Sequence, residues 1–172
     1  MKVYLRLLIL VGTLLLCLTA PKGHAKMPED VHERAVDFCF AKLDEAGGNL
    51  SALPIHLQTV IIVYSAQGII DNGGFRYFFE SNFPNTPSYQ LFSDGYRRIG
   101  AEDQANCIDK AVQLFPFDNP HLYEQKRQEY LNNSCEDDDC ELIKLGDVVC
   151  GDKAVWDKLN IYITNNVSAF AP

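Results

Sequence analysis

Apolar residues recur every three or four positions along most of the chain, the period of a helix with one buried face. Val31, Ala35, Phe38 and Cys39 form the first stripe, closed by Gly47 and Gly48. Leu57, Ile61, Tyr64 and Gly68 form a second, which opens near Pro54. Phe75, Phe78 and Phe79 mark a short third helix, and Tyr89, Phe92, Tyr96 and Ile99 a fourth. Ala101, Ala105, Ile108, Val112 and Phe115 mark a fifth. Pro84 with Pro87, Gly100, and Pro116 with Pro120 fall between the stripes, where helix breakers belong. A sixth, more polar helix is predicted from His121 to Asn132. Asp152 reads as the N-cap of a last helix with Val155, Leu159 and Tyr162 on one face. Only "ELIKLGDVVC", Glu141 to Cys150, fits helix and strand equally. The pattern predicts an all-α fold, a single compact multi-helix domain without repeats or linkers.

Length and composition agree with one domain, since 172 residues at 47% apolar content suffice for one core. The first 25 residues depart from the helical pattern. Lys2 and Arg6 precede an apolar run from Leu7 to Leu18, followed by Pro21 and the small-residue site Gly23-His24-Ala25. That order predicts a cleaved signal peptide at 1–25, a mature domain at 26–172, and export to the periplasm or beyond. The run is shorter than the roughly 20 residues a spanning helix needs, so no membrane contact is expected after cleavage.

Loss of Lys2, Arg6 and Lys22, with no acid, would move the formal charge from −8 to −11. A chain so acidic is ill suited to direct contact with nucleic acid or anionic lipid, and suits a basic protein partner. Five cysteines would remain after cleavage: Cys39, Cys107, Cys135, Cys140 and Cys150. In an oxidising compartment they predict one or two disulfides and a leftover thiol, with the pairing open. Cys135 and Cys140 bracket Glu136, Asp137, Asp138 and Asp139. These contiguous acids lack the alternating ligands and central glycine of an EF-hand loop, so they read as a solvated acidic loop, with calcium binding as the alternative. The cysteine spacing does not suit zinc, and no cofactor is expected.

The stretch "IIDNGGFRYFFESNFP", Ile69 to Pro84, concentrates the remaining signals. Asn72 is placed as the cap of the following helix, and Gly73 and Gly74 as the residues that let the chain turn sharply. Phe75, Phe78 and Phe79 then fall on the core, which leaves Arg76, Tyr77 and Glu80 outward as candidate partner contacts beside the acidic loop. No Lys-Ser/Thr pair follows the glycines, so this is not a phosphate loop. His32, His56 and His121 are the histidines of the mature chain. Ser65 lies nine positions after His56, too far for neighbours on one helix. With no nucleophile elbow or His-Glu-x-x-His site, the reading is not an enzyme; a hydrolase is the alternative.

"GIIDNGGFRYFFESN" and "GYRRIGAEDQANCIDKAVQLFP" together resemble the bacterial DNA-mimic-protein domain, a domain of unknown function. The likeness rests on Asn72 to Phe75, the pair Phe78-Phe79, Ile99 to Ala101, and Phe115-Pro116. It is clear over about Pro54 to Pro116 and looser over "WDKLNIYITNNVSAF". The resemblance implies an all-α domain without known catalytic activity, in which a characterised member presents an acidic surface that imitates DNA and occupies a transcription factor. No motif here marks that member's acidic face, so its residues do not transfer. An exported chain would meet a different basic partner, for instance a toxin against which it serves as inhibitor or immunity protein. Partner identity and oligomeric state are not written in the sequence.

Overall fold

The computed structural model describes residues 31–134 and 140–170. The expected leader, Cys135 and the acids Glu136, Asp137, Asp138 and Asp139 lie outside the described residues. Within them the chain forms seven α-helices: α1 (Val31–Glu45), α2 (Ile55–Glu80), α3 (Tyr89–Arg98), α4 (Glu102–Gln113), α5 (Glu124–Ser134), α6 (Glu141–Asp147) and α7 (Lys153–Asn165). Short 3-10 turns occupy Leu50–Ala52, Pro120–Leu122 and Val167–Phe170. No strand occurs among the described residues, and the fold is all-α. No described helix is long and apolar enough to cross a membrane.

The helices assemble around α2, which touches α1, α3, α5, α6 and α7. Its sequence explains why. From Thr59 to Val63 five consecutive residues are buried, so this helix is enclosed on every side rather than along the single stripe of Leu57, Ile61, Tyr64 and Gly68. Thr59 fits such a place because its hydroxyl donates to Ile55 O at 2.8 Å. Tyr64, Val112 and Tyr162, read as core positions, are half-buried and pack against the buried core.

Two glycines set how closely neighbours approach α2. A Cβ on Gly95 would lie 2.9 Å from Ile62 Cγ2, so α3 crosses α2 at a distance that excludes a side chain. A Cβ on Gly146 would lie 2.9 Å from the backbone N of Phe75, so α6 rests directly on the α2 main chain. The ambiguous segment is therefore a helix of seven residues, Glu141–Asp147, too short for its periodicity to distinguish it from a strand.

At Gly73 and Gly74 the backbone leaves helical geometry, so α2 is two helices joined at a kink, and Phe75, Phe78 and Phe79 lie on the short second one, as the spacing predicts. Gly74 has φ 63 and ψ −161, a region essentially closed to residues with a Cβ. Gly74→Ala is expected to lower the unfolding free energy by about 1–3 kcal/mol, read from the urea midpoint. An unshifted midpoint would show that the kink relaxes at no cost. Asn72 departs from the expected role. Its Nδ2 donates to Gly68 O at 2.6 Å, a carbonyl one turn behind it, rather than serving the helix ahead.

Candidate partner-binding surface

The kink is held from beneath by a polar network that the periodicity did not show. Tyr96 Oη donates to Gln67 Oε1 at 2.8 Å, and Gln67 Nε2 donates to Asp71 Oδ1 at 2.6 Å and to Val149 O at 3.0 Å. Asp71 also accepts from Gly151 N and from Trp156 Nε1, each at 2.8 Å. One carboxylate thus joins α2 to the α6–α7 turn and to α7. Burial, and after it the charge of Asp71, holds the Tyr96 hydroxyl well above its ordinary pKa, so it remains a neutral donor. A buried network whose members satisfy each other in this way fixes one arrangement of the helices it joins.

Above the kink lies the predicted contact trio. Phe75, Phe78 and Phe79 are fully buried. Arg76 Nε pairs with Glu80 Oε1 at 2.8 Å, and its Nη2 donates to Asn132 Oδ1 of α5 at 3.0 Å. Both side chains are partly exposed, yet they tie α2 to α5. Tyr77 is 53% exposed. A Cβ on Gly73 would sit 2.2 Å from the Tyr77 ring, so the ring lies flat on the bare glycine. Gly73 therefore supplies a shelf for an aromatic ring whose other face meets solvent.

Past Glu80, α5 closes over the end of α2. Arg127, 2% exposed, donates from Nε to Phe79 O at 3.0 Å and from Nη2 to Asn82 Oδ1 at 2.8 Å. Its Nη1 donates to Pro120 O at 2.8 Å and His121 O at 3.2 Å. Gln128 Nε2 takes Glu80 O at 3.1 Å. A buried cation placed against the terminal carbonyls of a helix answers both their unmet hydrogen bonds and the helix dipole. Because Arg127 also takes the Pro120 and His121 carbonyls, those residues form a 3-10 turn, and α5 starts at Glu124 rather than His121.

The remaining candidates are dispersed. Cys39 and Cys107 are buried free thiols and Cys150 an exposed one; Cys140 is outside that free set. Burial pushes the Cys39 thiol up to about 12 and also raises Cys107, the reverse of what a reactive thiolate needs. His56 Nδ1 is 2.8 Å from Tyr162 Oη, and His32 Nε2 is 3.1 Å from Thr164 Oγ1. His121 stacks edge-on against Tyr89, and burial, then Arg127, lowers its pKa. Among the described residues no three His, Cys, Asp or Glu side chains gather as a metal site.

Asp71, Gln67, Trp156 and Arg127 were missed by the sequence reading. Asp71 adjoins the Asn-Gly-Gly turn, and that position is its one local signal; Arg127, on a polar helix, carries none.

Neither the comparison with curated proteins nor that with solved structures found a match. The family model described as DMP19-like protein matches residues 51–166, which takes in the kink, its polar network, and every helix from α2 to α7. That match covers more than half of the chain, and the protein belongs to the DMP19-like family.

Proposed function

We propose that the protein is a non-enzymatic, acidic binding module that acts by occupying a basic protein partner, in an exported setting. The observation that carries this reading is family membership joined to charge: a DNA-mimic-like domain with a formal charge of −8, or −11 without residues 1–25, which hold Lys2, Arg6 and Lys22 and no acid. Exposed carboxylates support it. Helix α1 presents Glu33, Asp37, Asp44 and Glu45, and α4 opens on Glu102 and Asp103. Such a field steers a positively charged partner and repels nucleic acid.

Arg76, Tyr77 and Glu80 form the proposed contact point, with Tyr77 as its aromatic anchor and the acids Glu136, Asp137, Asp138 and Asp139 as additional charge. A ring already fixed on its shelf loses little freedom on binding. Tyr77→Ala should weaken the partner at least about fivefold while leaving stability within about 1 kcal/mol. The full triple change would also loosen α5, because Arg76 reaches Asn132.

In line with export, we propose a disulfide between Cys140 and Cys135, the cysteine of 26–172 that remains once the free Cys39, Cys107 and Cys150 are set aside. Thiol titration of the denatured, unreduced protein should then find three of the five thiols; finding all five would remove the disulfide.

The test of function is capture from the exported fraction with the chain 26–172 as bait. A basic protein recovered at low salt, and released by the acidic chain's free form, supports occupancy. Turnover of a substrate by the purified chain, with no protein retained, would replace this reading with the hydrolase alternative.

A further inference from the structure

We propose that the corner formed by the Phe117 and Tyr123 rings receives a lysine or arginine side chain of the partner, and that Lys126 occupies it in the free protein. The inference rests on the basic-partner reading above and gives that partner a second contact at the far end of α5.

Lys126 Nζ lies 4.7 Å from the centre of the Tyr123 ring and 5.7 Å from that of Phe117. The two rings stand 6.3 Å apart at 79°. Two aromatic faces thus already bracket an ammonium, the geometry in which ring quadrupoles attract a cation. Beside them Leu122 is 53% exposed and Tyr123 45%. Single exposed apolar residues are ordinary, whereas these share one short segment with a cation site.

The segment is held at three points. Phe117 packs on Phe115 at 5.8 Å, and Phe115 on Phe79 at 5.2 Å inside the core. Asn119 adopts a left-handed φ of 50. Arg127 clasps the Pro120 and His121 carbonyls from within. A surface side chain anchored by such contacts has less ordering entropy to lose when a partner docks. Asp118 and Glu124, both exposed, flank the rings and suit a cationic visitor.

Lys126 is the tethered stand-in. Its long stem lets the ammonium swing into water when a partner side chain enters. An arginine is the better visitor, because its planar guanidinium stacks on aromatic faces and is more weakly hydrated than an ammonium.

The probe is a synthetic octapeptide of alternating arginine and leucine, titrated calorimetrically into the chain 26–172 at low salt. Tyr123→Leu keeps the apolar bulk and removes the π face, and should lower affinity about threefold or more. Lys126→Met removes the competing cation and should raise affinity. Lys110→Met, an equal charge change on exposed α4, is the control and should raise it about threefold less. Unchanged affinity in Tyr123→Leu, or equal gains for the two lysine variants, overturns the ring site while leaving the basic-partner reading intact. A peptide that fails to bind the wild-type chain also overturns the ring site, and the basic-partner reading is then decided by the capture experiment.

Discussion

Replacing Arg127 with Met is expected to remove about 3–5 kcal/mol of stability, one of the two largest single-site losses in this protein. The guanidinium has essentially no contact with water, and its acceptors come from two separate segments: Phe79 O in the last turn of α2 with Asn82 Oδ1 just beyond it, and Pro120 O and His121 O in the 3-10 turn before α5. Methionine would fill much of the volume and leave the buried Phe79 and Pro120 carbonyls without this donor. That asymmetry decides the sign, for an apolar replacement is harmless only when the partners leave as well. Arg127→Lys should recover little, because one compact ammonium cannot span acceptors that a planar fork reaches from both edges. Urea unfolding of the three proteins measures this. Variants within about 1 kcal/mol of wild type would mean that water replaces the guanidinium and that the clasp is not structural.

Phe78→Ala should cost a similar amount, about 3–5 kcal/mol. Its ring is fully buried and lies 5.0 Å from Phe79, 5.2 Å from Phe92, 5.5 Å from Tyr89 and 5.7 Å from Phe83. Most of these pairs are edge-on or tilted, the arrangements that add to area burial. Phe79→Ala removes an equivalent set, with Tyr89 at 4.8 Å and Phe115 at 5.2 Å. For a domain of this size each kcal/mol moves the melting temperature by about 3 °C, so losses near 10 °C are expected. A shift of only about 2 °C in both variants would mean that the aromatic cluster is not the centre of the core.

What could be read from the sequence was local. Asp152 was legible as an N-cap because the Asx side chain acts within its own turn, and it accepts from Ala154 N at 2.9 Å. Helix limits at Gly47-Gly48, Pro84 to Pro87 and Gly100 followed from backbone restrictions that operate residue by residue. The Asn72 assignment shows where that logic stops. An Asn beside a turn can serve the carbonyl behind it or the amide ahead of it, and here the side chain turns back to Gly68 O.

Long-range chemistry was not legible. Gln67, Asp71, Tyr96, Val149, Gly151 and Trp156 come from three helices, α2, α3 and α7, and the α6–α7 turn, and nothing in the spacing of any one announces the others. Nothing around Gly146 in the sequence marks its role, which is the close approach to the Phe75 backbone, reached from across the fold. The candidate surface divides in the same way. Tyr77 pointed outward on helical periodicity alone, but its shelf on Gly73, and the ties of Arg76 and Glu80 to each other and to α5, needed the tertiary structure.

The central claim is that this acidic domain acts by binding a basic protein through charge. The most direct measurement is the affinity of the chain 26–172 for the protein it captures, titrated at about 50 mM and about 500 mM salt. The account predicts a loss of at least about tenfold across that range, carried mainly by slower association. An affinity indifferent to salt would contradict it.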